Sequence, residues 1–261
     1  MHERHEEITS ALPRDLDSLP RLRGFRLRGL EMTRLETFVD ATFAFAITTL
    51  VIAGERAPDN IDALLAAFEN VPAFGASIAV LAIFWRGHWL WSRRFGLEDS
   101  ASIAISWAMI FTMLIYVYPL KLVFGSMFYA LSNRQIGQPL LIHSYLQARQ
   151  LFAAFALGFT AIAVQILLLN LRAWHLRDPL RLDAREKILT RSEVTGWAVP
   201  ASVGVISLVL ALTLPSPRIT WSGWIYGSIW MLLPINRWQQ RRALRQLPPA
   251  SPSSQAVATR A

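Results

Sequence analysis

Cysteine is absent from the chain, which excludes disulfides, thiol nucleophiles and thiolate metal sites. Histidine is sparse: of His2, His5, His88, His143 and His175, no two share an apolar stretch at metal-ligand spacing. The run HERHEE near the start brings its second histidine one residue too early for the HExxH zinc pattern. A GxSxG elbow, a phosphate-cradling glycine loop and paired aspartates within apolar segments are missing too. No enzyme is therefore expected, and no cofactor or resident metal. Charge is scarce as well, at 17% of residues against about 25% in soluble domains.

What fills the space is hydrocarbon. Hydrophobic residues make up 53% of the chain, with ten tryptophans, and they fall in runs long enough to cross a bilayer. The net charge of +8 does not point to nucleic acid, because no basic helix face with interleaved aromatics is present. It is better explained by arginines placed beside apolar spans, as membrane orientation requires.

Six spans are expected, at about 34–53, 71–91, 101–124, 151–171, 196–214 and 219–235, giving an all-α membrane protein with a six-helix domain over residues 31–246. Residues 1–30 hold six arginines together with Pro13 and Pro20 and read as a mobile cytoplasmic basic tail, with a short interfacial helix over Leu22 to Leu30. They show no signal-peptide pattern, so the first span is expected to direct insertion itself. Residues 61–70 read as an amphipathic helix leading into the second span, and 247–261 as a disordered tail of Pro, Ser and Ala. With Arg34 set aside, twenty Lys and Arg residues lie in or beside the two tails and the loops after spans two and four, and five on the opposite side. Lys and Arg are enriched in cytoplasmic loops, so both termini are placed in the cytoplasm and the protein in the cell's inner (plasma) membrane.

The first span, RLETFVDATFAFAITTLVI from Arg34 to Ile52, stands apart. An arginine, an aspartate and several threonines at membrane depth cost several kcal/mol each unless paired or wet, roughly. On a 3.6-residue period Phe45, Thr49 and Ile52 share one face, and Phe43, Ala46 and Leu50 a neighbouring one. A face that mixes a hydroxyl with bulky apolar groups suits a narrow pore gated by dewetting. The same threonines equally suit hydroxyls that bond the backbone one turn back. Arg34 and Asp40, six apart, are too distant to pair on one helix. Trp85 and His88, at the same membrane face on the second span, are the natural partners for a bonded clamp; alternatively Arg34 and His88 sit among headgroups.

These residues resemble the transmembrane protein 175 potassium channels. Arg34, Phe38 and Asp40, followed by Ala44, Ala46, Ile47, Thr48 and Leu50, look like the first-helix signature RxxxFSD with its AIxxTLL-like tail. Phe84, Trp85 and His88 are similar to that family's aromatic-Trp-x-x-His ending, and the third span closing at Pro119 also fits. The resemblance implies a homotetramer in the lipid bilayer, with the first helices lining a central pore through which potassium passes transiently. It further implies a passive, weakly selective channel, constricted at Phe45, Thr49 and Ile52 with Thr48 beside them, and an interhelical network of Arg34, Phe38, Asp40, Trp85 and His88. Val39 stands where the signature has serine, and Phe45 and Thr49 stand where the bottleneck is usually aliphatic. The alternative is a non-conducting membrane scaffold, or a small-solute transporter, on the same fold.

Overall fold

The computed structural model describes residues 16, 18–52, 58–137, 144–216 and 218–247. The expected C-terminal tail lies outside them apart from Leu247, as do most of the first connector and residues 1–15 of the N-terminal tail.

Helix starts and stops follow local chemistry. Helix α1 spans Arg34–Ile52 and opens at Thr33, whose Oγ1 accepts from the Glu36 amide at 3.1 Å, a side-chain cap for an otherwise orphaned N–H. Helix α2, Ile61–Glu69, is capped by Asn60, and α3, Val71–Phe95, starts with a proline in its first turn and stops at Gly96, which takes the left-handed conformation at φ 57°. Helix α4 runs Ser100–Leu131 and α5 Tyr145–His175, the latter capped by Ser144. Helix α6, Ala184–Thr213, opens with a reciprocal capping box between Asp183 and Glu186.

The third expected span does not close at Pro119. Helix α4 continues to Leu131 with Pro119 inside it, and at 32 residues its length of about 48 Å exceeds the hydrocarbon thickness of about 30 Å. A greater departure lies in the sixth segment. A 3-10 turn at Arg218–Thr220, a four-residue α7 at Trp221–Trp224 and a second 3-10 turn at Ile225–Gly227 precede α8, Ser228–Arg245. Two serines satisfy the backbone there, Ser207 Oγ donating to the Ser222 carbonyl at 2.7 Å and Ser222 Oγ to the Ile219 carbonyl at 2.6 Å. Irregular backbone survives in an apolar setting only where such partners exist. Among the described residues, four helices are long and apolar enough to cross a membrane: α3, α4, α5 and α6.

The core runs through these four and the inner face of α1. Val39, Phe43, Ala46 and Leu50 of α1 pack with Leu81 and Phe84, with Met109, Met113 and Tyr116, and with Ile162 and Ile166. Aromatic edges tie the far side, Phe159 meeting Tyr226 at 4.7 Å and Phe84 at 5.3 Å between ring centres.

The N-terminal segment is not the interfacial helix expected over Leu22 to Leu30. It forms a two-stranded antiparallel hairpin, β1 Arg21–Leu22 and β2 Phe25–Arg26, with Arg23 and Gly24 at positive φ in the turn. Leu16, Leu19 and Phe25 are buried, so residues 18–30 pack rather than dangle. Phe25 sits in a second apolar cluster with Trp91, Phe95, Leu97, Leu169, Leu180 and Leu189, its ring edge-on to Phe95 at 5.2 Å.

Candidate functional site

One face of α1 is packed and the other is not. Val39, Phe43, Ala46 and Leu50 are buried, whereas Arg34, Thr37, Phe38, Ala41, Ala44, Phe45, Thr48 and Val51 are exposed, a stripe at steps of three and four that a helix lines up on one side. Phe45 is the most exposed large apolar residue of this helix, at 62%. Thr49 borders the stripe, half-buried; the side chain of Ile52 lies outside the described residues.

The threonine hydroxyls all turn back on their own helix. Thr48 donates to the Ala44 carbonyl at 3.0 Å, Thr49 to Phe45 at 2.9 Å and Thr42 to Phe38 at 2.8 Å, the intrahelical bond typical of hydroxyls in apolar helices. With the proton spent inward, each oxygen offers only lone pairs outward. No charged side chain follows Asp40 on this helix.

The residues named for the interhelical network separate into four places. Trp85 Nε1 donates to Asp40 Oδ1 at 2.8 Å, joining α3 to α1. Phe38 lies against Trp107 of α4, 4.8 Å between ring centres. His88 is buried but faces elsewhere: its Nε2 and Ser106 Oγ share a hydrogen bond of 3.1 Å, and its ring leans on Trp91. Arg34 is exposed at the start of α1 and, among the described residues, makes no ion pair or hydrogen bond through its side chain.

The charge that does tie this end of α1 is Glu36. Its carboxylate is buried, and Arg93 Nε stands 3.1 Å from Oε1 in an ion pair that lacks the alignment of a hydrogen bond. The same guanidinium donates through Nη1 to the carbonyls of Gly29 and Leu30 at 3.1 and 3.0 Å. Sequence reasoning singled out neither Glu36 nor Arg93 for the network. The available signal was an acid in the first turn of one apolar helix and an arginine at the end of the next, which returns to the same face.

A second buried carboxylate, Glu186, ties the N-terminal hairpin to the bundle. It lies in the first turn of α6, before the apolar stretch of that helix begins near Gly196. Arg26 reaches it from its backbone N–H at 2.9 Å and from Nη2 at 2.9 Å; Arg28 adds Nη1 at 3.1 Å and Nη2 at 2.9 Å. Burial would raise its pKa, but the hydrogen bonds from Arg28 and Arg26 outweigh that and hold it down at about 2.

A bundle of long apolar helices in which one polar-studded helix keeps an unpacked face fits a multi-pass membrane protein of the ion-channel type. A family model described as endosomal/lysosomal potassium channel TMEM175 matches residues 34–119. A protein of Marivirga tractuosa named "Potassium channel" is 30% identical over 200 residues, covering 73% of this chain and 79% of that protein. Among solved structures, a threonine-to-alanine variant of the potassium channel MtTMEM175, crystallised with a nanobody–MBP fusion, matches with a TM-score of 0.73 at 27% identity, over 87% of this chain and all of that one. The chain belongs to the TMEM175 potassium-channel family.

Proposed function

We propose that the protein is a passive, weakly potassium-selective channel, a homotetramer in which the α1 helices of four subunits surround the axis. The observation that carries this is the exposed stripe of α1. Each subunit leaves it without packing while burying the opposite face of the same helix, and a long apolar helix face left open in one subunit is covered by lipid or by its counterparts. Two features favour counterparts around water. The outward oxygens of Thr48 and Thr49 suit a cation rather than an anion, and Phe45 projects from the stripe as a ring able to close a narrow passage.

On this reading Phe45, Thr49 and Ile52 form the constriction with Thr48 beside them, and potassium meets no fixed charge along it. Weak selectivity fits a chain without a TVGYG-type carbonyl filter. Asp40 and Trp85 fasten the pore helix, Phe38 steadies it against Trp107, and His88 locks α3 to α4 behind it. The broken sixth segment together with α1 brings the four long spans to six per subunit, with both ends in the cytoplasm of a cell whose inner membrane holds the protein. The test is potassium flux from liposomes containing the purified protein. Flux down a potassium gradient, less steep but present for sodium, is expected. Folded tetramers that pass neither ion would overturn the channel reading in favour of a non-conducting scaffold or a small-solute transporter.

A further inference from the structure

We infer that Glu186 is a positioning residue for conduction: through the β1–β2 hairpin and the strap that follows it, Glu186 fixes where the cytoplasmic end of α1 stands. This rests on the reading of α1 as the pore helix.

The connection can be followed atom by atom. Glu186, fully buried, holds Arg26 and Arg28, and Arg28 Nε also donates to the Leu180 carbonyl at 3.1 Å. Leu27 N–H bonds back to Pro20 at 2.9 Å, which shapes the hairpin's exit. Gly29 then presses on the end of α3. Its N–H donates to the Arg93 carbonyl at 3.1 Å, and a Cβ placed on it would stand 2.5 Å from the Ser92 carbonyl oxygen, so only glycine fits. Arg93 closes the strap over Gly29 and Leu30 and reaches Glu36 in the first turn of α1. From Leu30 to the Thr33 cap the chain reaches at most about 11 Å, leaving little slack between strap and helix.

A buried carboxylate between two guanidiniums contributes little net stability over an apolar replacement, because desolvation consumes most of the Coulombic gain. What it does supply is direction. Two forked donors on one carboxylate admit few registers, so the cluster sets the height of the strap. The face of α1 opposite its packing is open, so this end of the helix depends on the strap for its placement.

The absence of cysteine provides a clean readout. In an Ala41→Cys background, the rate at which a membrane-impermeant thiol reagent modifies the exposed stripe is measured alongside potassium flux in liposomes. Glu186→Gln cuts the far end of the strap and Arg93→Met the near end, so either remains informative if the other fails to assemble. Each is expected to change the modification rate at least fivefold and lower flux at least fivefold, with the double variant no worse than either alone. Arg172→Gln breaks the Arg172–Asp99 pair, 3.0 Å long and holding none of the strap's residues, and is expected to stay within twofold of the parent. Unchanged modification in both strap variants overturns the inference, as does an equal change in Arg172→Gln, which would mark a general loosening. Unaltered flux in Phe45→Ala overturns the pore reading alone, and the modification rates then judge the strap by themselves.

Discussion

The indole of Trp85 donates to the carboxylate of Asp40 across 2.8 Å, and this single bond joins the second long helix to the signature aspartate of the first. Asp40 is half-buried, and the indole N–H gains a carboxylate oxygen as its acceptor. Trp85→Phe should destabilise the assembled protein by about 1 kcal/mol, read as a lower midpoint of thermal unfolding in detergent. Asp40→Asn keeps an acceptor oxygen and should cost less than Asp40→Ala. Equal losses in the two Asp40 variants would show that charge, rather than the bond, matters here.

Phe45→Ala removes the most exposed large apolar side chain described on α1. If it forms the constriction, widening that point lowers the dewetting barrier, and each 1.4 kcal/mol or so removed raises the passage rate about tenfold. Potassium leak in liposomes should rise by roughly that factor. Thr48→Val, which removes the outward oxygen and keeps the shape, should lower it.

Two glycines of α3 make opposite predictions. A Cβ at Gly87 would drive into the Trp197 ring of α6, whereas nothing lies within 4 Å of one at Gly75. Gly87→Ala should therefore cost about 1–3 kcal/mol through overpacking, and Gly75→Ala should gain up to about 1 kcal/mol from helix propensity. Thermal midpoints of the two variants should move in opposite directions; a loss at both would place another chain or lipid against Gly75.

Glu186 gives the N-terminal hairpin its acid sensitivity. Its pKa falls from 4.5 in the open chain to about 2 in the fold, so the stabilisation is complete above pH 4.5 and is lost as pH falls from there through 2. About 3 kcal/mol is at stake across that window. Protease cleavage within residues 16–30 should increase between pH 4.5 and 2.5 in the native chain. In Glu186→Gln, cleavage should already be elevated at neutral pH and vary less with acid.

The long helices were legible because each is a run of apolar residues with a capping signal at one end, and α2 because its pattern repeats on a helical period. Asp40 and Trp85 were legible because an ionisable group in an apolar run demands a partner and the next helix returns to the same face. The hairpin was not, since its strands are two residues long and surrounded by arginines, and what buries Phe25 lies some 70 to 165 residues further on, at Phe95 and Leu189. Arg34 drew the attention that belonged to Glu36: both are charged and near the membrane face, and only the path of Arg93 distinguishes them. The interruption in the sixth segment depends on Ser207, a residue of another helix offering its hydroxyl to a freed carbonyl. That is a tertiary fact with no local trace.

The open stripe of α1 has an evolutionary corollary. Side chains such as Ala41, Ala44, Phe45 and Thr48 have almost no neighbours within their own subunit, so exchanging them scarcely taxes folding, while Val39, Phe43 and Leu50 on the reverse face are held by the core. The same helix is thus written in two scripts, one conserved by packing and one free to drift. If the proposed pore reading holds, a wider, wetter or more selective passage can be reached by rewriting the second script alone.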